Sequence, residues 1–402
     1  MHPDFVYLDN AATSWPKPDA VAVAMSEFLS TRAGNPGRGG HALARAAAET
    51  VEIAREKLAA LINAPTPKRV VLTHGCTDAI NQAIQGVIHS ASKCAGGKKP
   101  HIVTTAIEHN AVLRTLHSFK CDGLLEMTIV PCDSEGTMSP DRIADACTPC
   151  TELVAVSHAS NVLGTIQPIH EIMLAVRAKC PEVLFMVDAA QTAGHFSVDV
   201  QRDDIDLLTL AGHKGLRGPT GTGALYVGPR AYPDCCTNTR MCCERRGGTG
   251  AIAPGLEMPT TLPDALEAGT ANAVGFAGLV AAMGTLCESQ HRTEMMHTKR
   301  LLDGLLGIPN VTVYGKETTE GRTPVVLFNI KGMCARDAGK ILDEQHHIAV
   351  RGGVHCAPEL HNAIGTKSDG GVRVSPGCTT TEDQIDCFLE AVRSMASTPA
   401  MS

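Results

Sequence analysis

The sequence has no surplus of positive charge: 35 Lys and Arg face 42 Asp and Glu, a formal net charge of −7 over 402 residues. Binding nucleic acid or an anionic membrane through counterion release needs the opposite balance, so neither partner is expected. The opening residues, Met1-His2-Pro3-Asp4-Phe5, hold no basic segment and no apolar run follows them, which argues against a secretory leader. Internal repeats and low-complexity tracts are also missing. One long stretch without charge, from Ala268 to Cys287, has the length of a membrane span. It opens with Ala-Gly-Thr-Ala-Asn and holds four glycines, which suits a buried helix of a soluble protein instead.

The chain is 44% hydrophobic and 19% charged, the balance of a globular protein large enough for two domains. Its sixteen cysteines are too sparse for a disulfide scaffold, which needs roughly 8–10%. Without a leader, the expected setting is the reducing cytoplasm, where cysteines are small buried hydrophobes or reactive thiols. Cys147-Thr148-Pro149-Cys150 has the spacing of redox and zinc sites but lacks a second pair nearby, and reads as a polar connection. Cys235, Cys236, Cys242 and Cys243 put four thiols into nine residues. Vicinal cysteines make poor tetrahedral pairs, so no metal centre is assigned, and metal or accessory sulfur binding by these four stays an open alternative.

Short, almost continuous apolar runs recur at Arg69–Thr73, His101–Thr105, Glu152–Ser157, Val183–Asp188, Asp206–Leu210 and Ala224–Gly228, as in strands buried on both faces. Helical patterns fall between them at Leu43–Leu61, Thr77–Ser90 and Pro168–Lys179. This alternation predicts an α/β sandwich around a mostly parallel sheet. Past Ser289–Lys299 the pattern changes to a smaller α+β domain, with helices at Thr293–Leu306 and Thr381–Ser394. The organisation expected is an N-terminal segment, residues 1–25, associated with the small domain, a large domain over 26–292 and a C-terminal domain over 293–402.

Four segments carry chemistry. Ala211-Gly212-His213-Lys214-Gly215 follows a buried strand and sets a lysine among glycines. Asp188 in Val187-Asp188-Ala189-Ala190-Gln191 ends another strand, where α/β sheets bind ligands. Thr73-His74-Gly75-Cys76-Thr77-Asp78 is a strand–turn–helix start whose N–H groups and Thr77 hydroxyl suit a phosphate. Glu108-His109-Asn110 supplies a flat imidazole past a further strand. A phosphate cradle, a strand-end acid, a flat ring and a lysine together describe a pyridoxal 5'-phosphate pocket.

These motifs resemble those of the class V aminotransferases, fold type I pyridoxal-phosphate enzymes, and within them the cysteine desulfurases. The match runs from Tyr7-Leu8-Asp9-Asn10-Ala11-Ala12-Thr13 through Asn35-Pro36-Gly37-Arg38 to Arg373-Val374-Ser375-Pro376-Gly377. The resemblance implies that Lys214 is the Schiff-base lysine, Asp188 the partner of the pyridine nitrogen and His109 the stacking ring. It implies cofactor contacts from Gln191, Cys76, Thr77 and His213. It also implies a homodimer with shared active sites, Thr270 reaching the neighbouring subunit's phosphate. Asn161, Ala12 and Arg373 then contact substrate, Arg373 as a planar fork for its carboxylate. The family often has serine where Ala211 stands, so a backbone group or water must replace that hydroxyl.

Arg351-Gly352-Gly353-Val354-His355-Cys356-Ala357 resembles the family's nucleophile loop, in which His355 and Arg351 are expected to lower the Cys356 thiol pKa. The implied reaction turns L-cysteine into L-alanine, leaves a persulfide on Cys356 and passes the sulfur to an acceptor protein or thiol, as in iron–sulfur cluster assembly. The alternatives are a selenocysteine lyase or other carbon–sulfur lyase, or an aminotransferase, epimerase or kynureninase-like enzyme with no need of Cys356. A catalytically silent, cysteine-rich metal- or persulfide-binding protein is the reading from a different class.

Overall fold

The computed structural model describes residues 2, 5–37, 39–94, 99–234, 238–250 and 255–397. Along the chain, β1 (Val6–Tyr7), α1 (Asp19–Thr31) and α2 (Ala42–Leu61) lead into β2 (Val70–Thr73) and α3 (Cys76–Cys94). Next come β3 (His101–Thr105), α4 (Asn110–Cys121), β4 (Glu126–Val130), α5 (Pro140–Ala146), β5 (Thr151–Ser157) and α6 (Ile169–Lys179). The strands β6 (Leu184–Asp188), β7 (Leu207–Ala211) and β8 (Gly223–Val227) complete this part, followed by α7 (Ala273–Met283). The last third holds α8 (Glu288–Leu306), β9 (Val311–Tyr314), β10 (Val326–Ile330) and α9 (Ala335–His346). It closes with β11 (Ile348–Ala349), β12 (Arg351–Gly353), α10 (Pro358–Ala363), β13 (Gly371–Val374) and α11 (Glu382–Ser397).

Seven strands form the central sheet in the order β2-β8-β7-β6-β5-β3-β4. All neighbours are parallel except β8, which runs against both β2 and β7. Apolar clusters cover both faces, one including Phe185 and Leu210, the other Leu184 and Leu225. That double burial is why these strands read as continuous apolar runs. The six runs seen in the sequence lie within one residue of observed strands at either end. β4 escaped the reading because it lies at the sheet edge, where Glu126 is exposed and the next three residues are half-buried. The charge-free stretch yields a helix of 11 residues, started by Asn272 accepting from the Gly275 amide. Among the described residues no helix is long and apolar enough to cross a membrane.

A second sheet, β12-β13-β10-β9, is antiparallel and packs with α8, α9 and α11 around Phe328, Leu342 and Phe388. β1 pairs with β11 in this part, and Val6 and Leu8 enter its core. α1 packs on α7, and its Phe28 joins the large core, so residues 19–25 sit with the large domain. Cys147 departs from the polar connection read for it: it is buried at the end of α5, while Cys150 is exposed.

Polar ties fix the strand ends. Buried Glu108 accepts from the Thr105 hydroxyl at 2.5 Å, the Ser157 amide at 2.8 Å and the Ser157 hydroxyl at 2.6 Å. It thereby joins the ends of β3 and β5, and burial pushes its carboxyl up to about 7. Arg55, 3% exposed, donates to Glu267 Oε1 at 2.6 Å and Oε2 at 3.1 Å, and the Leu72 amide donates to the same carboxylate at 2.6 Å. Without Glu267, Arg55 keeps Glu52 at 3.2 Å and the Val70 carbonyl but loses its buried partner, as does the Leu72 amide, at a cost of about 1.5–3 kcal/mol. Glu267→Ala is therefore expected to lower unfolding free energy by about that much in urea, and Glu267→Gln by less. Equal stability of Glu267→Ala and the parent would contradict the assignment.

Candidate active site

The C-terminal ends of β2, β3, β5, β6 and β7 open onto a cavity of about 640 Å³, the usual ligand position in parallel α/β sheets. Ten of the twelve residues proposed from sequence line it: Ala12, Cys76, Thr77, His109, Asn161, Asp188, Gln191, His213, Lys214 and Arg373. Cys356 and Thr270 do not; Thr270 is exposed beyond this chain's own cavity.

Asp188 ends β6, and three donors converge on its Oδ1: the Ala190 amide at 2.9 Å, the Thr209 hydroxyl at 3.3 Å and the Cys76 thiol at 3.3 Å. No described donor reaches Oδ2, which leaves that oxygen for a ligand. Burial and the Asp188 charge push the Cys76 thiol well up, so it stays protonated and donates. The sequence reading missed Thr209; its signal was a lone hydroxyl inside the buried strand LLTLA.

Lys214 follows β7 and is half-buried at the cavity wall. Burial lowers its amine pKa, and Arg373 and Arg351 add to that, against Asp188 and Cys76. A lowered pKa is what a lysine needs to act as nucleophile and base. His109 caps α4, its Nδ1 accepting from the Ala111 amide at 3.1 Å, which places the ring proton on Nε2. Burial and then Lys214 lower its pKa, so the ring is a neutral plate.

At the other end, Gly75 (φ 151°) turns the chain into α3, whose first N–H groups have no helical partner. Thr77 lies in that first turn. The His213 Nδ1 is buried without a hydrogen-bond partner. Burial, then Lys214 and Lys17, lower this imidazole to about 4. The hydroxyl missing at Ala211 is not replaced by its strand neighbours, since Thr209 is bonded to Asp188 and Thr222 to the Pro219 carbonyl. Gln191 donates from Nε2 to the Ala11 carbonyl at 3.1 Å.

The small domain contributes cations. Arg351 on β12 and Arg373 on β13 are directly opposed across the strands, and both line the cavity. Arg373 is 1% exposed; it donates to Asp9 Oδ1 at 2.6 Å and the Asn161 carbonyl at 2.9 Å, while its Nε has no partner. Two opposed guanidiniums with one carboxylate between them leave net positive charge facing the cavity, which favours an anion.

Cys356 lies between β12 and α10, with φ of 50° at His355 and 59° at Cys356, two consecutive non-glycine residues in the left-handed region. The Asn110 amide donates to the Cys356 carbonyl at 2.7 Å and Asn161 Nδ2 to the His355 carbonyl at 2.7 Å, which holds the loop over α4 and β5. Arg351 reaches the Cys356 sulfur at 3.7 Å. His355 does not act on the thiol as the sequence suggested. Its Nε2 bonds to the Arg351 carbonyl at 2.9 Å, its Nδ1 has no partner, and burial with Arg373 keeps it neutral.

The fold and cavity define an enzyme that handles a small anionic substrate beside a buried lysine. The chain matches the aminotransferase class-V family over residues 6–388 and belongs to it. It is 33% identical to a probable cysteine desulfurase of Methanothermobacter thermautotrophicus, over 98% of this chain and 95% of that one. It is 31% identical to a cysteine desulfurase IscS of Methanosarcina thermophila, covering 96% and 91%. Its backbone is similar to the apo structure of a cysteine desulfurase from Thermococcus onnurineus NA1, with TM-score 0.87, 30% identity and 98% and 95% coverage. It is also similar to the cysteine desulfurase CsdA of Escherichia coli, with TM-score 0.83 and 28% identity, covering 98% and 95%.

The low pKa of His213 has a direct consequence. A histidine whose folded pKa lies below its unfolded value of 6.5 contributes stability above pH 6.5, lost as the pH falls toward 4. In an NMR titration of the chain with no anion bound in the cavity, the ring resonance that disappears in His213→Asn should show a midpoint near pH 4. A midpoint of about 6.5 would mean a solvated ring.

Proposed function

We propose that this enzyme is a pyridoxal 5'-phosphate-dependent cysteine desulfurase that converts L-cysteine to L-alanine and takes the sulfur as a persulfide on Cys356. The observation that carries the reading is the meeting of three features: Lys214 beside Asp188 with a free Oδ2, the opposed Arg351–Arg373 pair, and the Cys356 thiol within reach of Arg351. The relatives named as cysteine desulfurases support it.

The pocket fits the cofactor. The unpartnered His213 Nδ1, the Thr77 hydroxyl and the free N–H groups of α3 suit its phosphate, Asp188 Oδ2 its ring nitrogen and His109 its ring face. Gln191 retains a second amide proton for the phenolic oxygen. When bound, pyridoxal phosphate supplies an electron sink at the substrate's α-carbon. Arg373 holds the substrate carboxylate, aided by Arg351, with Asn161 and Ala12 lining the same space. Lys214 removes the α-proton and returns one to carbon, a role its lowered pKa suits. The Cys356 thiolate attacks the substrate sulfur: an S–S bond forms as the C–S bond breaks, and the electron pair left on carbon takes up a proton, giving alanine. An acceptor thiol, free or on a protein, then removes the terminal sulfur. Exposed Thr270 belongs to the partner subunit's cofactor site, which makes the working unit a homodimer. The setting is the reducing cytoplasm, where Cys356 stays a free thiol between turnovers and acceptor thiols are at hand.

Cys356→Ser should retain the visible absorbance of the bound cofactor yet lose alanine and sulfide formation from L-cysteine by about 10³-fold or more. Lys214→Ala should lose both. Full turnover by Cys356→Ser would remove the persulfide route. A parallel assay of selenocysteine, cysteine sulfinate and kynurenine separates the desulfurase from its alternatives, since only a thiol substrate requires Cys356 under this reading.

Arg373→Lys should raise KM for L-cysteine by about 10–100-fold, the worth of a charged hydrogen bond or two. Binding of cysteamine, which has no carboxylate, should change little. An equal loss for both ligands would place Arg373 outside the carboxylate site.

A further inference from the structure

On the far side of Lys214 lies a second, smaller cavity of about 30 Å³, with Gln191, His195, Arg217, Glu294 and Cys378 among its lining. Space of that size holds one or two waters. Glu294, on the first turns of α8, is 7% exposed. His195 stands on the turn after β6, four residues beyond Gln191, and its Nδ1 is 2.9 Å from Glu294 Oε2. His291, one helical turn before Glu294, points its Nδ1 at the same oxygen from 3.8 Å. The Phe196 ring meets the His291 imidazole edge-on, with centroids 4.6 Å apart, and fixes its orientation.

A buried carboxylate is balanced by one imidazole, and His195 already supplies it. His291 is then unexplained: its Nδ1 is shut off from solvent and makes no hydrogen bond. Two imidazole nitrogens and a carboxylate oxygen lie within 4.8 Å of one another, a grouping found nowhere else among the described residues. Zinc binds nitrogen and carboxylate oxygen at about 2.0–2.2 Å, which sets donor separations of about 3.3 Å in a tetrahedron. The observed 2.9 and 3.8 Å straddle that value.

We propose that His195, His291 and Glu294 form a binding site for a zinc-type divalent cation, separate from the pyridoxal phosphate pocket, with a coordination position open to water in the small cavity. The cation would bridge the turn that follows Gln191 to the first helix of the C-terminal domain. The residues are 96 and 3 positions apart in sequence, on different elements, so no short motif announces them. The donor set, two histidines and a carboxylate, suits Zn²⁺ or Co²⁺ rather than Mg²⁺ or Ca²⁺.

The test uses full-length protein with its cofactor retained, stripped of metal by a chelator and titrated with Co²⁺. The expected result is one tight Co²⁺ per chain with ligand-field absorption but no thiolate charge-transfer band, displaced by Zn²⁺. His291→Gln and Glu294→Gln should each weaken that binding by at least about 100-fold, and Cys356→Ser should leave it intact. Zn²⁺ should raise the melting temperature of the parent and not of His291→Gln. No tight Co²⁺, a charge-transfer band on the tight site, or unchanged binding in His291→Gln would overturn the proposal. His291 is partly exposed, so its variant keeps the test valid if Glu294→Gln fails to fold.

Discussion

Arg373 is the constraint on which the rest of this architecture leans. Its guanidinium is buried, so every donor needs an acceptor or a ligand. One arm goes to Asp9 in the N-terminal segment, another to the Asn161 carbonyl in the large domain, and its backbone belongs to the small sheet. Three parts of the chain, two of them more than 200 residues from the arginine itself, are thus fixed relative to one charge. That arrangement explains why β1 crosses over to pair with β11: it delivers Asp9 to the cation. It also leaves an unsatisfied Nε in an otherwise well-bonded site, the donor that the proposed substrate carboxylate would take up.

Most of this was legible before the structure, for a physical reason. A sheet buried on both faces writes itself as apolar runs, and a strand-end ligand site writes itself as polar residues where those runs stop. Asp188, His109 and Lys214 all sit at such stops. What the sequence hid were relationships across space. Thr209 and Cys76 converge on Asp188 from β7 and α3, and the opposition of Arg351 to Arg373 depends on strand register. Domain limits also blurred, because α1 leaves the small-domain side and packs on α7, and a single helix, α8, spans the boundary drawn at residue 293.

The sixteen cysteines resolve into different environments rather than one role. Thirteen of them are free thiols. Cys76 is a neutral donor to Asp188, Cys147 fills the core, and the Cys243 thiol donates to the Arg245 carbonyl at 2.8 Å. Cys235 and Cys236 lie outside the described residues, and Cys242 and Cys243 enter no metal-ligand cluster among those described. Thiols that donate hydrogen bonds or fill apolar space are poor nucleophiles. Cys356 differs from Cys76, Cys147 and Cys243 in that the group facing its sulfur is a guanidinium.

This choice of neighbour matters for the chemistry. A histidine beside the thiol would exchange a proton with it and tie the nucleophile to the ring's protonation state. Arginine stays charged at every working pH, so the cation facing this sulfur exchanges no proton with it. His355 serves the loop differently: its ring bonds to the Arg351 carbonyl, across the turn that carries the two left-handed residues. The imidazole therefore holds the backbone that aims Arg351, and Arg351 holds the charge. The same guanidinium lines the large cavity, so under the proposed function a bound amino acid and the Cys356 sulfur would share one cation.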